Sequence, residues 1–180
     1  GPKGGPEQMN DLARGCLAGF LHHHKGLAGL IAPTANSYMR LQPGSLSGFW
    51  QNWGGDHRNV TTRISSEGGA KARLEHRMAD ASSNPYTTVA ALLQAARLGV
   101  EKGYELGPME TGDGFDRTDT RESTAMTLKG AVADLEKDTA LTEAVGADLI
   151  ANHVYMKQKE VRKTRDLEGD ALRDFYVHFV

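Results

Sequence analysis

The stretch Arg73-Leu74-Glu75-His76-Arg77, followed six residues later by Asn84-Pro85-Tyr86, decides the fold of this 180-residue chain. Its first part alternates. Residues two apart on an extended strand share a face, so Arg73, Glu75 and Arg77 point one way and Leu74 and His76 the other. At about 3.3 Å of rise per residue, neighbouring charges stand roughly 6–7 Å apart. Asn84-Pro85 is a helix-start signal, with proline at the first helical position. It predicts a helix from about Pro85 to about Tyr104. A carboxylate between two guanidiniums has two readings. One is an ion-paired exposed sheet face; the other is a ligand for a hard metal, flanked by grips for phosphate or carboxylate oxygens.

Working outward, short strands are predicted near 49–53, 59–64 and 72–78, the last two separated by a Gly68-Gly69 hinge. Upstream, Met9, Leu12, Cys16, Leu17, Phe20, Leu27 and Leu30 recur at helical steps over 7–31, with Gly26 and Gly29 bending the second half and Pro33 closing it. A polar and aromatic stretch over 34–50 turns at Pro43-Gly44. Downstream, the nearly continuous apolar run Val89 to Val100 predicts a buried helix. Residues 107–126, rich in Gly, Asp and Thr, read as an irregular surface loop. Helices are expected over Leu128–Lys137, Leu141–Val145 and Ala147–Asp166, then a terminal segment over 169–180 with Phe175, Tyr176 and Phe179 docking inward. Antiparallel strands followed by helices make the fold class α+β.

Composition narrows the functions. Hydrophobic residues at 39% and charged residues at 24% are ordinary for a globular chain, and a net charge of −2 gives no reason to expect nucleic acid or an acidic membrane as partner. The one cysteine, Cys16, excludes an internal disulfide framework and suits a reducing, cytoplasmic compartment; its helical setting predicts a small buried filler. No apolar run approaches the ~20 residues of a membrane span. Gly1 to Pro6 read as a flexible lead-in, and the whole as a piece of a longer protein.

Arginine is concentrated at Arg40, Arg58, Arg63, Arg73 and Arg77, whereas residues 26–77 contain one lysine, Lys71. Planar guanidiniums bind carboxylate and phosphate bidentately, and clustered ones repel without an anion between them, so the region suits a polyanionic ligand. Other features carry less. His22, His23 and His24 cannot all face one ion, because successive helical residues point about 100° apart, and they read as a polar helix face. Glu110, Asp113 and Asp116 read as a solvated turn. The basic run Lys157, Lys159, Arg162, Lys163 and Arg165 reads as dipole complementation and solubility, with a subunit contact as a lesser reading. His57 beside Arg58 could support its neighbour, and His76 reads as a packed core histidine.

Taken together, the ordered motifs Asn36-Ser37-Tyr38-Met39-Arg40-Leu41, Pro43-Gly44, His57-Arg58-Asn59-Val60-Thr61-Thr62-Arg63-Ile64, Arg73-Leu74-Glu75-His76-Arg77 and Asn84-Pro85-Tyr86 resemble the glutamine synthetase superfamily in sequence and spacing. The likeness covers about residues 10–106 most closely and the helical tail more weakly. It implies the carboxy-terminal half of a catalytic domain, without the family's amino-terminal β-grasp domain. It also implies an ATP-dependent ligase that joins ammonia or an amine to the γ-carboxyl of glutamate through a γ-glutamyl phosphate, with Mg2+ or Mn2+. By the same resemblance Glu75 is a metal ligand, Arg40 and Arg77 hold glutamate and the transferring phosphoryl group, and Arg58 stabilises the γ-glutamyl phosphate. Arg63, Arg73 and, less directly, Lys71 line the nucleotide phosphates. The parent protein is expected to be a ring-shaped homo-oligomer.

Two departures qualify the resemblance. Ammonia-using members carry a glutamate two residues past the glycine of the Pro-Gly turn, where this chain has Leu46 within Gly44-Ser45-Leu46-Ser47-Gly48-Phe49-Trp50. A leucine cannot bind a cation or accept a proton but can pack against carbon, so a substituted amine is the expected acceptor, with Phe49, Trp50 and Trp53 adding apolar surface; alternatively those aromatics only pack the strand. The upstream glutamates and Gly-rich loop are absent too, so this piece alone is expected to be inactive and prone to aggregate. Residues 107–126 have no match to the tyrosine some bacterial members adenylylate. Glutamine synthetase using ammonia and a non-catalytic structural module remain the alternatives.

Overall fold

The computed structural model describes residues 9–56, 58–65, 67, 71–114 and 122–177, so the expectations for the lead-in, His57, Gly68-Gly69, Asp116 and Phe179 lie outside the described residues. Helices α1 (Asp11–His22) and α2 (His24–Ile31) are followed by the single turn α3 (Ser37–Arg40). Three short strands come next, β1 (Trp53–Gly55), β2 (Thr62–Ile64) and β3 (Leu74–His76). Then come α4 (Pro85–Lys102), α5 (Leu128–Lys137), α6 (Thr139–Val145), α7 (Ala147–Thr164) and α8 (Gly169–Val177). The α+β class holds. The sheet, in the order β1-β2-β3, is mixed rather than antiparallel throughout: β1 and β2 run parallel and only β2 and β3 antiparallel. The first strand also begins at Trp53, later than expected.

Local chemistry explains most boundaries. The Asn10 carboxamide accepts from Ala13 N at 2.8 Å and starts α1. The Asn84 carboxamide accepts from Tyr86 N and Thr87 N at 3.0 and 3.2 Å, Pro85 follows, and Gly103 closes α4 in the left-handed region at φ 63°. Asp138 caps α6 through Leu141 N at 3.1 Å and also accepts from His23 Nδ1 at 2.8 Å. The predicted helix over 7–31 breaks at His23 (φ −92°, ψ 11°) rather than bending at Gly26 or Gly29. Those two glycines serve packing instead, since a Cβ on Gly29 would meet Ala131 O at 2.8 Å.

Helix α1 lies between two cores. Leu17 and Leu21 pack with Trp53 and Ile64 beneath the sheet. The larger core joins α2, α4, α5 and α7 through Leu27, Leu30, Ile31, Ala91, Ala95, Leu135 and Ile150. At the α1–α4 crossing a Cβ on Gly19 would stand 2.0 Å from Ala95 O, and one on Gly99 would stand 2.1 Å from Gly15 O. Only glycine permits this approach.

Three burial expectations are corrected. Helix α4 buries Ala91, Ala95 and Leu98, but Tyr86, Val89 and Leu93 on its other face are 85%, 56% and 65% exposed, because a run of apolar residues exceeds the one face its neighbours cover. The histidine triplet is no polar face: His22 is exposed, whereas His23 and His24 are fully buried where α1 gives way to α2. Cys16 is half-buried rather than buried. Among the described residues no helix is long and apolar enough to cross a membrane.

Burial lowers the pKa of His24 to about 4 and that of His76 to about 3, because the imidazolium would lose its hydration. The Phe49 carbonyl at His24 Nε2, 3.1 Å away, opposes the shift in part. Both rings stay neutral in the fold while the unfolded chain takes up protons near 6.5. Stability from these groups is therefore complete above about pH 6.5 and falls as pH drops toward 4, by about 1.4 kcal/mol per pH unit for each histidine. Urea midpoints measured between pH 7.5 and 4.5 should fall with this slope, and should flatten in His24→Gln/His76→Gln. In Gly99→Ala, alanine's better helix propensity (about 1 kcal/mol) is outweighed by forced separation of α1 and α4. A net loss of about 1–3 kcal/mol is expected by chemical denaturation.

Candidate active site

The charged face of the sheet is built by strand register. Arg63 on β2 lies directly opposite Glu75 on β3. Cross-strand partners share a face. On β3, Leu74 packs toward the lower core and the His76 ring lies 5.4 Å from that of Phe20, so the alternate residue, Glu75, is left on the far side. Thr62 Oγ1 and His76 Nδ1 are 2.9 Å apart. His76 is thus the packed histidine its alternation predicts.

Three guanidiniums converge on Glu75. Arg77 Nη1 donates to Oε1 at 2.7 Å, and Arg63 Nη1 and Arg73 Nη2 stand 3.5 and 3.8 Å from Oε2. Arg63 also grips Asp56 Oδ1 through Nη2 at 2.7 Å and Nε at 3.2 Å; this hydrogen bond is the main reason its pKa rises above the ordinary arginine value. Asp56 adopts φ 49°, a conformation that Asp tolerates better than most residues. Arg73 Nη1 reaches Ser65 Oγ and Lys71 O, both at 3.2 Å, and Arg77 Nε reaches Ser47 Oγ at 3.4 Å. Among the described residues Arg63, Arg73, Arg77 and Lys71 stand near Glu75, Asp56 and Glu67, so cations outnumber carboxylates by one on a partly exposed face. Such a face attracts oxyanions.

The side chains of the remaining predicted residues do not join this cluster, although Lys71 O accepts from Arg73. Arg40, at the end of α3, donates through Nη2 to Met78 O at 2.5 Å. Gly48 separates it from the cluster: a Cβ there would stand 3.5 Å from Arg40 Nη1 and 2.9 Å from Leu41 Cδ2, at φ 95°. Arg58 is exposed in the β1–β2 connection and makes no ion pair among the described residues. Lys71 is exposed and 3.8 Å from Glu67. Leu46, 65% exposed, stands on the Pro43–Gly48 loop.

Two expectations around the site change. Phe49 and Trp53 are buried, and Trp53 Nε1 donates to Gly107 O at 2.9 Å, so these aromatics pack the sheet rather than extend an acceptor pocket. Glu110 is buried, not solvated: it accepts from Asn52 Nδ2 at 3.4 Å and Gly112 N at 3.1 Å, while its own N–H donates to Trp53 O. Asp56, Ser47 and Ser65 are site residues that the sequence reading missed. Their only signal was adjacency to the Gly54-Gly55 and Pro43-Gly44 turns and to Ile64, and no periodicity joins them to the arginines.

A complete magnesium or manganese site is not formed by these residues. Both Glu75 oxygens already face guanidiniums, and among the described residues no three His, Cys, Asp or Glu side chains gather where an ion could sit. A hard ion with octahedral demand needs more oxygens than one carboxylate.

Comparison with known proteins accords with this arrangement. Residues 2–176 match the family described as glutamine synthetase, catalytic domain. Glutamine synthetase of Thermococcus kodakarensis is 33% identical over 162 residues, 87% of this chain and 36% of its own length. That of Mycolicibacterium smegmatis is 32% identical over 165 residues, 86% of this chain and 37% of its own. The chain thus spans little more than a third of these relatives. A GmaS/ADP complex superposes with a TM-score of 0.80 at 28% identity, covering 97% of this chain and 41% of the other. Unliganded GmaS gives a TM-score of 0.79 at 29% identity, covering 95% and 39%. On the evidence of its motifs, its sheet and these likenesses, the chain belongs to the glutamine synthetase catalytic-domain family.

Proposed function

We propose that this chain is the carboxy-terminal part of the catalytic domain of a cytoplasmic, ATP-dependent ligase that forms a γ-glutamyl amide from glutamate and a substituted amine. The observation that carries the reading is the convergence of Arg63, Arg73 and Arg77 on Glu75, with positive charge to spare. Transfer of a phosphoryl group from ATP to a carboxylate crowds several anionic oxygens together, and fixed guanidiniums offset that charge without reorganising. Membership of a family of named glutamine synthetases, and likeness to a GmaS structure solved with ADP, support nucleotide use.

In this scheme Arg63 and Arg73 face the nucleotide phosphates, with Lys71 at their edge. Arg77 and Arg40, on either side of the Ser47-Gly48 turn, hold the glutamate carboxylate and the phosphoryl group. Arg58, free of ion pairs among the described residues, is available to the acyl phosphate. Attack of the amine nitrogen on the γ-carbonyl expels phosphate, and the nitrogen then loses a proton. Glu75 would help to hold a divalent ion, which would neutralise phosphate oxygens, only if its guanidinium contacts gave way and further donors came from outside the described residues. Assembly of the parent into a ring-shaped homo-oligomer belongs to the same proposal.

Leu46 supports the choice of acceptor. It places an exposed apolar side chain, with no acid, on the loop that Ser47 ties to Arg77. In the full-length protein, phosphate release with ATP, glutamate and a panel of amines should give a higher kcat/KM for alkyl or aryl amines than for ammonia. Leu46→Glu should move that ratio toward ammonia by about tenfold or more, a shift of about 1.4 kcal/mol. A wide preference of the parent protein for ammonia would sink the acceptor reading. Removing a charge-stabilising donor in Arg77→Ala should lower kcat/KM by about 10²–10³; an unchanged value would remove Arg77 from the site.

A further inference from the structure

A second cleft lies away from the sheet, between α7, α8 and the turns at Thr34 and Ser82, with a volume of about 590 Å³. Its framework is held by one buried side chain. Tyr176 on α8, 6% exposed, accepts from Ala35 N at 2.9 Å and donates to Glu160 Oε1 on α7 at 2.5 Å. The other side of α7 is pinned by Ile150 and Val154 in the core and by His153, whose Nε2 lies 2.8 Å from Gly29 O. The cleft is therefore a fixed feature of the fold.

The charges within it do not balance. Glu160 is spent on Tyr176 and on Lys157, which donates to its Oε2 at 2.8 Å. Lys159 and Lys163 remain, four residues apart on one helix face, where like charges repel. Lys159 leans over the Tyr155 ring at 4.4 Å, and Lys163 has no acidic partner among the described residues. Apolar Met156 lies on α7 with these lysines and Phe175 lines the cleft from α8, while Thr34 and Ser82 line it with hydroxyls already bonded to Ser37 Oγ and Asp80 Oδ1. Among the described residues one of these cations has no acidic partner and the other rests only on an aromatic ring, and cations beside apolar surface suit one ligand chemistry.

We propose that this cleft is a binding site for a small organic anion, a phosphate or carboxylate carried on a flat apolar body. The anion engages Lys159 and Lys163, and the apolar body lies against Phe175 and Met156. The site is distinct from the arginine cluster and does not depend on the ligase reading. A smaller cleft of about 320 Å³ shares Thr34, Ala81, Ser82 and Tyr176 with it and extends to Arg40, which lines the smaller cleft and not the larger.

Calorimetric titration of the full-length protein with phenyl phosphate, inorganic phosphate and benzyl alcohol tests this. Phenyl phosphate should bind, inorganic phosphate should bind at least about tenfold more weakly, and benzyl alcohol should give no measurable heat. Lys159→Ala/Lys163→Ala should weaken phenyl phosphate by about tenfold or more at an unchanged melting temperature, while Lys159→Arg/Lys163→Arg should retain it. Arg63→Ala/Arg77→Ala, which removes anion grips at the sheet, should leave it unaltered. The proposal is overturned if the parent chain does not bind phenyl phosphate or binds inorganic phosphate equally well. It also fails if affinity survives the double lysine-to-alanine change or is lost in the sheet variant.

Discussion

The backbone contact between α1 and α4 is the constraint on which the rest of the molecule rests. Gly19 and Gly99 let the helices approach until a single methyl group would collide with backbone atoms. Close packing of this kind leaves no room for adjustment. It fixes the level of α1, whose Leu17 and Leu21 form the floor under Trp53 and Ile64. That floor settles which strand residues point inward, and so which charges gather above.

The sheet above is short, three residues per strand, and its stability comes from beneath rather than from its ladder. One face is apolar and aromatic; the other holds Glu75 amid three arginines. The ion-paired reading of this strand is what the described residues show, and the anion-site reading belongs to the proposed function. Without ligand, Glu75 and Asp56 keep mutually repelling guanidiniums in place.

Much of the fold was legible along the chain. Asn84-Pro85 and Gly103 bracket α4 because capping is a local interaction, and the predicted Leu128–Lys137 coincides with α5 for the same reason. The errors lay where burial depends on neighbours: the exposed face of α4, buried Glu110, and His23 and His24 sealed inside. Of the site, Arg63, Arg73, Glu75 and Arg77 came together as strand alternation and family resemblance implied. Arg58 and Leu46 make no ion pair or hydrogen bond with that group among the described residues, and Lys71 meets it only through its backbone carbonyl, which accepts from Arg73.

The amino-acid sequence by itself determined the helices, the two-faced strand, the enrichment in arginine and the family, since caps, alternation and motif spacing are properties of nearby residues. The tertiary structure alone decided that β1 and β2 pair in parallel, that Asp56 holds Arg63, that Ser47 meets Arg77, and that Tyr176 joins α8 to α7 and the Ala35 turn. Those contacts join residues whose neighbourhood exists only once glycine-permitted helix packing and loop closure have brought distant segments together. No periodicity in the chain encodes them.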